Sequence, residues 1–231
     1  MLSHGDKELY IRWLQLGCFS PINRMHSAND KWSKEPWLYG KEAENIVTRF
    51  LRLRHRLLPY IYTCNVKTAT KGIPIVMPMY YKHDCKEAYE FKRQFYFGES
   101  MIVAPVVEKK NKEGLSPVSV WLPEGKWYDF FTNEIFEGNQ VYDLLVPMDR
   151  IPVFVKAGSI IPMLADASSN DQSFTSLEVV GYAGCEGKYR MYDDVGYIDF
   201  KLKEDEEDGY VITSRKYKGV VTENIETTII M

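Results

Sequence analysis

His26 is the residue whose type and surroundings are best suited to a binding function. It follows Phe19, Pro21 and Arg24 at short spacing, in a segment that is rich in aromatic residues. A neutral imidazole donates a hydrogen bond from one ring nitrogen and accepts one at the other near neutral pH. Residue type alone leaves a functional role of His26 open, although a lone histidine is more often structural.

The cysteines do not form a metal-binding or disulfide pattern. Cys18, Cys64, Cys85 and Cys185 lie far apart, and no two of them have the Cys-x-x-Cys spacing. The run His83-Asp84-Cys85 has no second pair of ligands after it, so a surface turn is favoured and no metal is expected. We expect reduced thiols and a cytoplasmic location.

The charge balance and hydropathy argue against two classes of partner. The formal net charge is -3, whereas nucleic-acid-binding proteins usually carry a basic excess, so no nucleic acid is expected. No apolar run reaches the length of about 18 residues that spans a membrane, and no signal peptide is visible, so no membrane contact is expected. The sequence does not decide the oligomeric state, and a homo-oligomer stays open.

The spacing of apolar residues predicts two helices, one on each side of His26. Asp6 can cap a helix from Lys7 to about Cys18, which Ser20-Pro21 should end. A longer helix begins near Lys41, and Pro59 should kink it before Gly72 ends it. Its apolar face has steps of three and four residues, at Ile46, Phe50, Leu53, Leu57 and Ile61.

From residue 73 onwards, short apolar runs alternate with turns, which is typical of a β-sandwich. The acidic run from Glu204 to Asp208 lacks the ligand spacing of a calcium loop and is interpreted as a hairpin turn. The predicted strands are Ile75 to Tyr81, Ser100 to Val107, Val118 to Leu122, Lys126 to Phe131, Gln140 to Val146, Val153 to Ala157, Leu177 to Tyr182, Tyr189 to Tyr192, Tyr197 to Leu202, Tyr210 to Ser214 and Val220 to Ile230.

The fold class expected from these patterns is α+β, mostly β, in three parts. Residues 1–72 are expected to be helical and residues 73–165 to form a β-sandwich. Residues 166–231 are expected to form a second, incomplete β domain that begins with a polar stretch. Helices with strong apolar faces need other elements to cover them. The β-sandwich can cover one helix, and the other would normally pack on strands that this sequence does not contain.

Several blocks resemble glycoside hydrolase family 31, the α-glucosidase and α-xylosidase family. The segment from Glu8 to Trp37 is similar to the last conserved block of that family's (β/α)8 barrel, including the Phe-x-Pro-x-x-Arg-x-His pattern that ends at His26. The resemblance covers nearly the whole chain and weakens after Pro162. Further matching blocks are Arg12-Trp13, Glu35-Pro36-Trp37, Phe97-Gly98, Val103-Ala104-Pro105-Val106, Leu122-Pro123-x-Gly125-x-Trp127-Tyr128-Asp129 and Lys156 to Pro162.

The resemblance implies that residues 1–72 are the closing helices of the barrel in a retaining hydrolase of α-glucosides or α-xylosides. In that family one aspartate is the nucleophile and another is the acid, in Trp-x-Asp-Met-Asn-Glu and Trp-x-Gly-Asp type motifs. Neither motif occurs in this sequence. We therefore expect no catalytic residue here, no activity of this chain alone, and no cofactor or metal. The resemblance leaves His26 as a substrate-binding residue that holds a sugar hydroxyl.

Three nearby features are interpreted as structural. For Arg24, an ion pair that holds the loop is favoured over a sugar contact. For Trp37, packing beneath the barrel rim is favoured over stacking on a sugar. The basic cluster of the second predicted helix is expected to be solvated or ion-paired, and it comprises Arg49, Arg52, Arg54, His55 and Arg56.

Two alternatives to a portion of a hydrolase stay open. The chain could be a carbohydrate-binding module whose platform is an exposed Trp32, Trp121 or Trp127. It could also be a subunit that complements a separately encoded barrel through its exposed helical faces. Within the family, a lyase or a transglycosidase is open as well, and the sequence does not identify the sugar or the linkage.

Overall fold

The computed structural model describes residues 5–26, 34–167, 174–217 and 219–231. Within these ranges, four α-helices precede residue 91, and two short 3-10 turns separate some of them. No helix of these described ranges is both long enough and apolar enough to cross a membrane. The helices are α1 (Lys7–Cys18), α2 (Lys41–Arg56), α3 (Leu58–Lys71) and α4 (Lys86–Glu90), and the 3-10 turns are Pro36–Tyr39 and Met79–Tyr81.

Helix α1 has the bounds that the sequence predicts. The Asp6 carboxylate accepts a hydrogen bond from the Leu9 N–H at 3.1 Å, which confirms the predicted N-cap. One face of α1, including Ile11 and Leu14, is buried in a core shared with α2. The other face carries Leu9, which is 61% exposed, and Trp13, which is 71% exposed. The described residues therefore cover only one side of this helix.

The second predicted helix is divided into α2 and α3 at Leu57. Pro59 lies in the first turn of α3, where its missing N–H needs no partner. The hydrogen bonds of the backbone continue across the division, from Leu57 N to Leu53 O and from Ile61 N to Leu57 O, each at 2.9 Å. Gly72 ends α3 with φ of 67°, in the left-handed region, as predicted.

Two sheets face each other across an apolar core that includes Tyr96, Trp121, Trp127 and Phe154. The larger sheet has the order β1-β2-β3-β8-β5-β6, and the smaller pairs β4 with β7. This is the predicted β-sandwich. Its strands are β1 (Val76–Pro78), β2 (Phe95–Phe97), β3 (Met101–Val103), β4 (Leu115–Leu122), β5 (Lys126–Asp129), β6 (Ile135–Glu137), β7 (Gln140–Pro147) and β8 (Val153–Lys156).

Two further three-stranded sheets follow, with the orders β14-β10-β9 and β11-β12-β13. Strand β9 pairs with β10 between Leu164 and Leu177, so this sheet crosses the predicted boundary at residue 165. The three-part division of the chain stays a prediction. The strands are β9 (Ile160–Leu164), β10 (Ser176–Tyr182), β11 (Gly187–Tyr192), β12 (Tyr197–Asp205), β13 (Gly209–Tyr217) and β14 (Asn224–Ile230).

Some strand predictions need correction. The run from Ile75 to Tyr81 is strand only at Val76–Pro78, and it continues as the 3-10 turn Met79–Tyr81. The short strands β2 and β6, and also β9, lie outside the predicted strands. The acidic run is confirmed as a hairpin turn, because Asp205 Oδ1 accepts hydrogen bonds from the N–H groups of Glu207 and Asp208 between β12 and β13.

Candidate functional site

The segment that carries His26 is held at the end of α1 by the guanidinium group of Arg54. Its nitrogens donate hydrogen bonds to four main-chain carbonyl oxygens, on Gly17 at 3.2 Å, Cys18 at 2.9 Å, Ser20 at 2.7 Å and Pro21 at 3.0 Å. Carbonyl groups at the end of a helix lack partners within the helix. Arg54 supplies partners for them and fixes the direction in which the chain leaves α1.

A close contact between Gly17 and Asn23 brings the same segment back over the end of α1. A Cβ atom at position 17 would lie 2.8 Å from the Asn23 side-chain oxygen, so only glycine fits without a shift. Asn23 lies three residues before His26. The fold-back therefore positions the chain that leads to the imidazole.

His26 lines an open cavity of about 650 Å³, with Tyr10, Trp13, Arg24 and Met25 among the other lining residues. The imidazole is exposed. A cavity of this size, with mostly apolar walls and a few polar groups, is typical of sites for small ligands. The arrangement can present an imidazole to a hydroxyl group against apolar and aromatic side chains.

One wall of the cavity is built around Tyr10 of α1. Its ring stacks on that of Tyr39 at 3.8 Å between centroids and 2° between planes, and its hydroxyl donates to Lys34 O at 2.6 Å. Burial raises the pKa of Tyr10 to about 12, with smaller contributions from Tyr39 and Glu35. Tyr10 is therefore a neutral, already bonded hydroxyl at physiological pH, which makes it a structural part of the wall.

Among the described residues that line the cavity, Asp6 is the one carboxylate. The hydrogen bond from Leu9 N lowers its pKa, with a smaller contribution from Lys109, so it is ionised and has partners. Retaining glycosidases need two carboxyl groups about 5–5.5 Å apart. The described part of the cavity does not contain such a pair.

Two acidic residues between β11 and β12, Asp193 and Asp194, have structural partners. Asp193 Oδ1 accepts hydrogen bonds from Val195 N at 3.0 Å and Gly196 N at 2.6 Å, which closes the turn between β11 and β12. Asp194 accepts one from the Tyr62 hydroxyl at 2.9 Å. Within the described ranges, no group of three or more His, Cys, Asp or Glu residues could hold a metal ion.

The structure differs from the favoured interpretations of Arg24 and Trp37. Arg24 is exposed, and no described residue forms an ion pair with it. Trp37 is 63% exposed, so the described residues do not provide the packing that was expected for it. Both side chains would be covered only by a neighbour outside these ranges.

The basic cluster of α2 is partly as predicted. Arg49 pairs with Asp149 at 3.3 Å, and Arg56 pairs with Glu178. Arg54 differs, because its partners are main-chain carbonyl groups rather than water or carboxylates. Arg52 is exposed.

Two of the three tryptophans considered for a carbohydrate-binding platform are not accessible to a ligand. Trp121 and Trp127 are buried in the β-sandwich core, and Trp127 Nε1 donates to Pro123 O at 2.8 Å. A tryptophan that fills a core and one that binds a sugar look alike in the sequence. The exposed fraction of the side chain in the structure distinguishes them. Trp32 lies outside the described residues.

Sequence reasoning did not find the role of Arg12. Its guanidinium is buried, and it donates to Pro147 O at 3.1 Å and Arg150 O at 2.7 Å, while Gln15 Nε2 donates to Met148 O at 2.9 Å. These bonds join α1 to the loop after β7. An arginine three residues before a glutamine on the buried side of a helix is the one local signal for this contact.

Two family models match the sequence. Residues 3–64 match the glycosyl hydrolases family 31 TIM-barrel domain, and residues 72–161 match the glycosyl hydrolase family 31 C-terminal domain. The matched ranges include His26 and the whole β-sandwich. They agree with the helical and β parts seen in the structure.

Similar proteins are glycosidases of several organisms. An α-xylosidase of Saccharolobus solfataricus is 33% identical over 82% of this chain and 25% of its own length, and α-glucosidase 2 of Bacillus thermoamyloliquefaciens is 28% identical over 82% and 24%. This chain thus spans about a quarter of the length of these curated relatives. The structure of a GH31 dextranase of Flavobacterium johnsoniae with glucose superimposes with a TM-score of 0.81 at 33% identity, over 93% of this chain and 28% of that one. A GH31 α-xylosidase of Xanthomonas citri gives 0.78 at 26% identity, over 97% and 26%.

Proposed function

Because this chain belongs to glycosyl hydrolase family 31, and covers the barrel end and the C-terminal domain, we propose that it is the C-terminal portion of a retaining α-glycosidase. The substrates proposed for the whole enzyme are terminal α-linked glucose or xylose residues. The observation that carries the proposal is the position of His26, exposed on a sugar-sized cavity, within the part that matches the barrel.

His26 is the proposed substrate-binding residue. Its imidazole can accept a hydrogen bond from a sugar hydroxyl at one nitrogen and donate one at the other. Arg54 and the contact between Gly17 and Asn23 are positioning features, because they fix the segment that carries the imidazole. Neither a nucleophile nor an acid is assigned, since the sequence contains neither aspartate motif of the family.

The first test is activity of the purified chain. On p-nitrophenyl α-glucoside and p-nitrophenyl α-xyloside we expect no turnover above the uncatalysed rate, because covalent and acid–base catalysis both need carboxylates that this chain is proposed not to provide. Turnover that disappears on changing one aspartate or glutamate of this chain would contradict the proposal.

The second test asks whether this portion supports a barrel. It would replace the matching segment of the Saccharolobus solfataricus α-xylosidase, which this chain matches over 192 residues. We expect the folded chimera to hydrolyse α-xyloside, and His26→Ala to lower kcat/KM by roughly a hundredfold through loss of a hydroxyl contact in the transition state. Arg52→Ala is the matched control and should leave kcat/KM unchanged. If His26→Ala leaves kcat/KM of an active chimera unchanged, the proposed role of His26 is excluded.

The exposed apolar face of α1 favours a second candidate function, in which the chain complements a separately encoded barrel. Leu9 and Trp13 lie on this face, and no described residue covers them. Co-expression with the first three quarters of a relative, followed by sedimentation, would test it. A stable complex that is lost with Trp13→Asp supports complementation, and separate sedimentation contradicts it.

We also propose a cytoplasmic location, supported by the four cysteines, which are all free. Alkylation of the protein from cell extract, without prior reduction, should modify all four thiols after denaturation. A cysteine that reacts only after reduction would contradict this location.

A further inference from the structure

Three tyrosines that are close in the sequence of the β-sandwich part are exposed. Tyr80 is 51% exposed, Tyr81 is 57% exposed and Tyr89 is 55% exposed. Tyr80 and Tyr81 belong to the 3-10 turn Met79–Tyr81, and Tyr89 belongs to α4. Single exposed apolar residues are common on protein surfaces, whereas a contiguous exposed group is typical of an interaction site.

The rings of Tyr80 and Tyr89 stack on each other. Their centroids are 5.4 Å apart and their planes differ by 8°. Because each ring covers one face of the other and both remain half exposed, aromatic surface is left open to solvent. Tyrosine combines such an apolar face with a hydroxyl group that can donate and accept hydrogen bonds.

The backbone beneath the tyrosines is held in place. Met79 and Ala88, which precede Tyr80 and Tyr89, are both buried in the β-sandwich core. The turn is closed by hydrogen bonds from Lys82 N and His83 N to Met79 O, each at 3.1 Å. Surfaces that are already ordered lose little conformational entropy when they bind a ligand.

Charged residues of both signs lie around the tyrosines. Lys86 pairs with Glu90 at 3.2 Å on the same short helix, and Lys82 Nζ donates to Glu99 O at 3.2 Å and lies over the Tyr96 ring. Asp84 and Glu87 add two further acidic groups, so both signs are interspersed and neither is concentrated. The ligand that fits is therefore neutral, with flat apolar faces and hydroxyl groups at their edges.

We propose that Tyr80, Tyr81 and Tyr89 form a carbohydrate-binding platform for a neutral α-linked glucan chain. The pyranose rings stack on the exposed aromatic faces, and the tyrosine hydroxyls bond to the sugar hydroxyls. The choice of an α-linked glucan rests on the proposed function, whereas the platform itself rests on the tyrosine geometry. The platform holds polysaccharide and contributes no catalytic group.

The test is native gel electrophoresis of the full chain in gels with and without dextran or soluble starch. We expect both polysaccharides to retard the chain. Tyr80→Ala and Tyr89→Ala should each weaken the apparent affinity by about tenfold, the usual scale for a residue that dominates a binding surface. Tyr89→Phe should retain most of the affinity, because the ring is kept.

The controls separate this inference from the other proposals. Leu145→Ala removes another exposed apolar side chain of the β-sandwich and should leave retardation unchanged. Arg52→Ala, an exposed position on α2, should also leave it unchanged. The result does not depend on whether the chimera is active. Circular dichroism confirms that each variant is folded, and fluorescence of Tyr80→Trp provides a second binding signal if an alanine variant does not fold.

Two outcomes of the gel experiment would overturn the proposed platform. One is the absence of retardation by either polysaccharide, and the other is retardation that is lost only with His26→Ala. Tyrosine-dependent self-association without glucan binding, measured by sedimentation, also overturns it.

Discussion

Arg54 connects α2 to the segment that carries His26, through hydrogen bonds to four main-chain carbonyl oxygens. Arg54→Ala leaves these half-buried acceptors without a donor. We expect the free energy of unfolding to fall by about 2–3 kcal/mol, since hydrogen bonds from charged groups contribute about 1.5–3 kcal/mol each and water can replace part of them. Urea denaturation followed by circular dichroism measures the change.

Arg52 offers a matched control on the same helix. It has the same side chain but is exposed. Arg52→Ala should change the free energy of unfolding by less than about 0.5 kcal/mol. Equal effects at both positions would show that the four carbonyl contacts of Arg54 add nothing to stability.

Single residues differ in how far the sequence could predict them. His26 was found because its neighbours form a recognisable pattern, and the cavity beside it is consistent with a binding role. The roles of Arg54 and Arg12 were not predicted, because most of their partners are main-chain carbonyl groups, which every residue type has. Trp121 and Trp127 were considered as ligand contacts, and only the burial of their rings shows that they belong to the core.

At the scale of elements, Gly98 lies where α3 meets the hairpin of β2 and β3. Its φ is 63°, and a Cβ atom there would collide with the Tyr60 hydroxyl and lie 2.9 Å from Cys64 Sγ. Gly98→Ala should therefore destabilise the protein by more than about 2 kcal/mol, through overpacking and a strained backbone together. Thermal and urea unfolding measure it.

Gly114→Ala is the corresponding control for backbone strain alone. Gly114 also has a positive φ, of 84°, but a Cβ atom there would meet nothing within 4 Å. We expect a loss of about 1 kcal/mol, the usual cost of a non-glycine residue in this region. If both substitutions cost the same, the tight contact with Tyr60 is not a packing constraint.

Helix α1 is expected to be the least stable element. One of its faces is exposed at Leu9 and Trp13, whereas β8 is buried on both sides at Val153, Phe154 and Val155. Local opening is easiest where few apolar contacts must be broken. Amide hydrogen exchange should therefore be faster over Lys7–Cys18 than over β8. Uniformly strong protection of α1 would contradict this expectation.

The bounds of elements were predictable where local chemistry decides them. Asp6 caps α1, and Gly72 ends α3, because both effects depend on one side chain or its absence. Strand β9 was missed, because it is a continuous buried run whose identity as a strand depends on pairing with β10. Pairing between distant segments is a tertiary effect, and no local pattern encodes it.

At the scale of the whole molecule, buried thiol and phenol groups predict loss of stability at alkaline pH. Burial raises the pKa of Cys18 and of Cys64 from 9.0 to about 12, and that of Tyr10 from 10.0 to about 12. The protonated groups are neutral, so the folded state retains protons that the unfolded state releases. The contribution of these groups to the free energy of unfolding is fully present below about pH 9, and it is lost progressively as the pH rises towards about 12.

The measurement is the urea midpoint between about pH 8 and pH 11. A double variant, Cys18→Ala with Cys64→Ala, should show a smaller fall over this range than the parent chain. The exposed Cys185 serves as the control, since Cys185→Ala should leave the pH dependence unchanged. A midpoint that does not move with pH would contradict the expectation.

The contact of Arg12 with the loop after β7 has a practical consequence for anyone who cuts or recombines enzymes of this family. The two halves of that contact are more than 130 positions apart in the chain, at Arg12 and at Pro147 and Arg150. A shortened version that begins after Gly72 would discard the Arg12 guanidinium and leave the carbonyl oxygens of Pro147 and Arg150 without this donor. When C-terminal domains are exchanged between relatives, Arg12 and the loop after β7 should therefore come from the same parent protein.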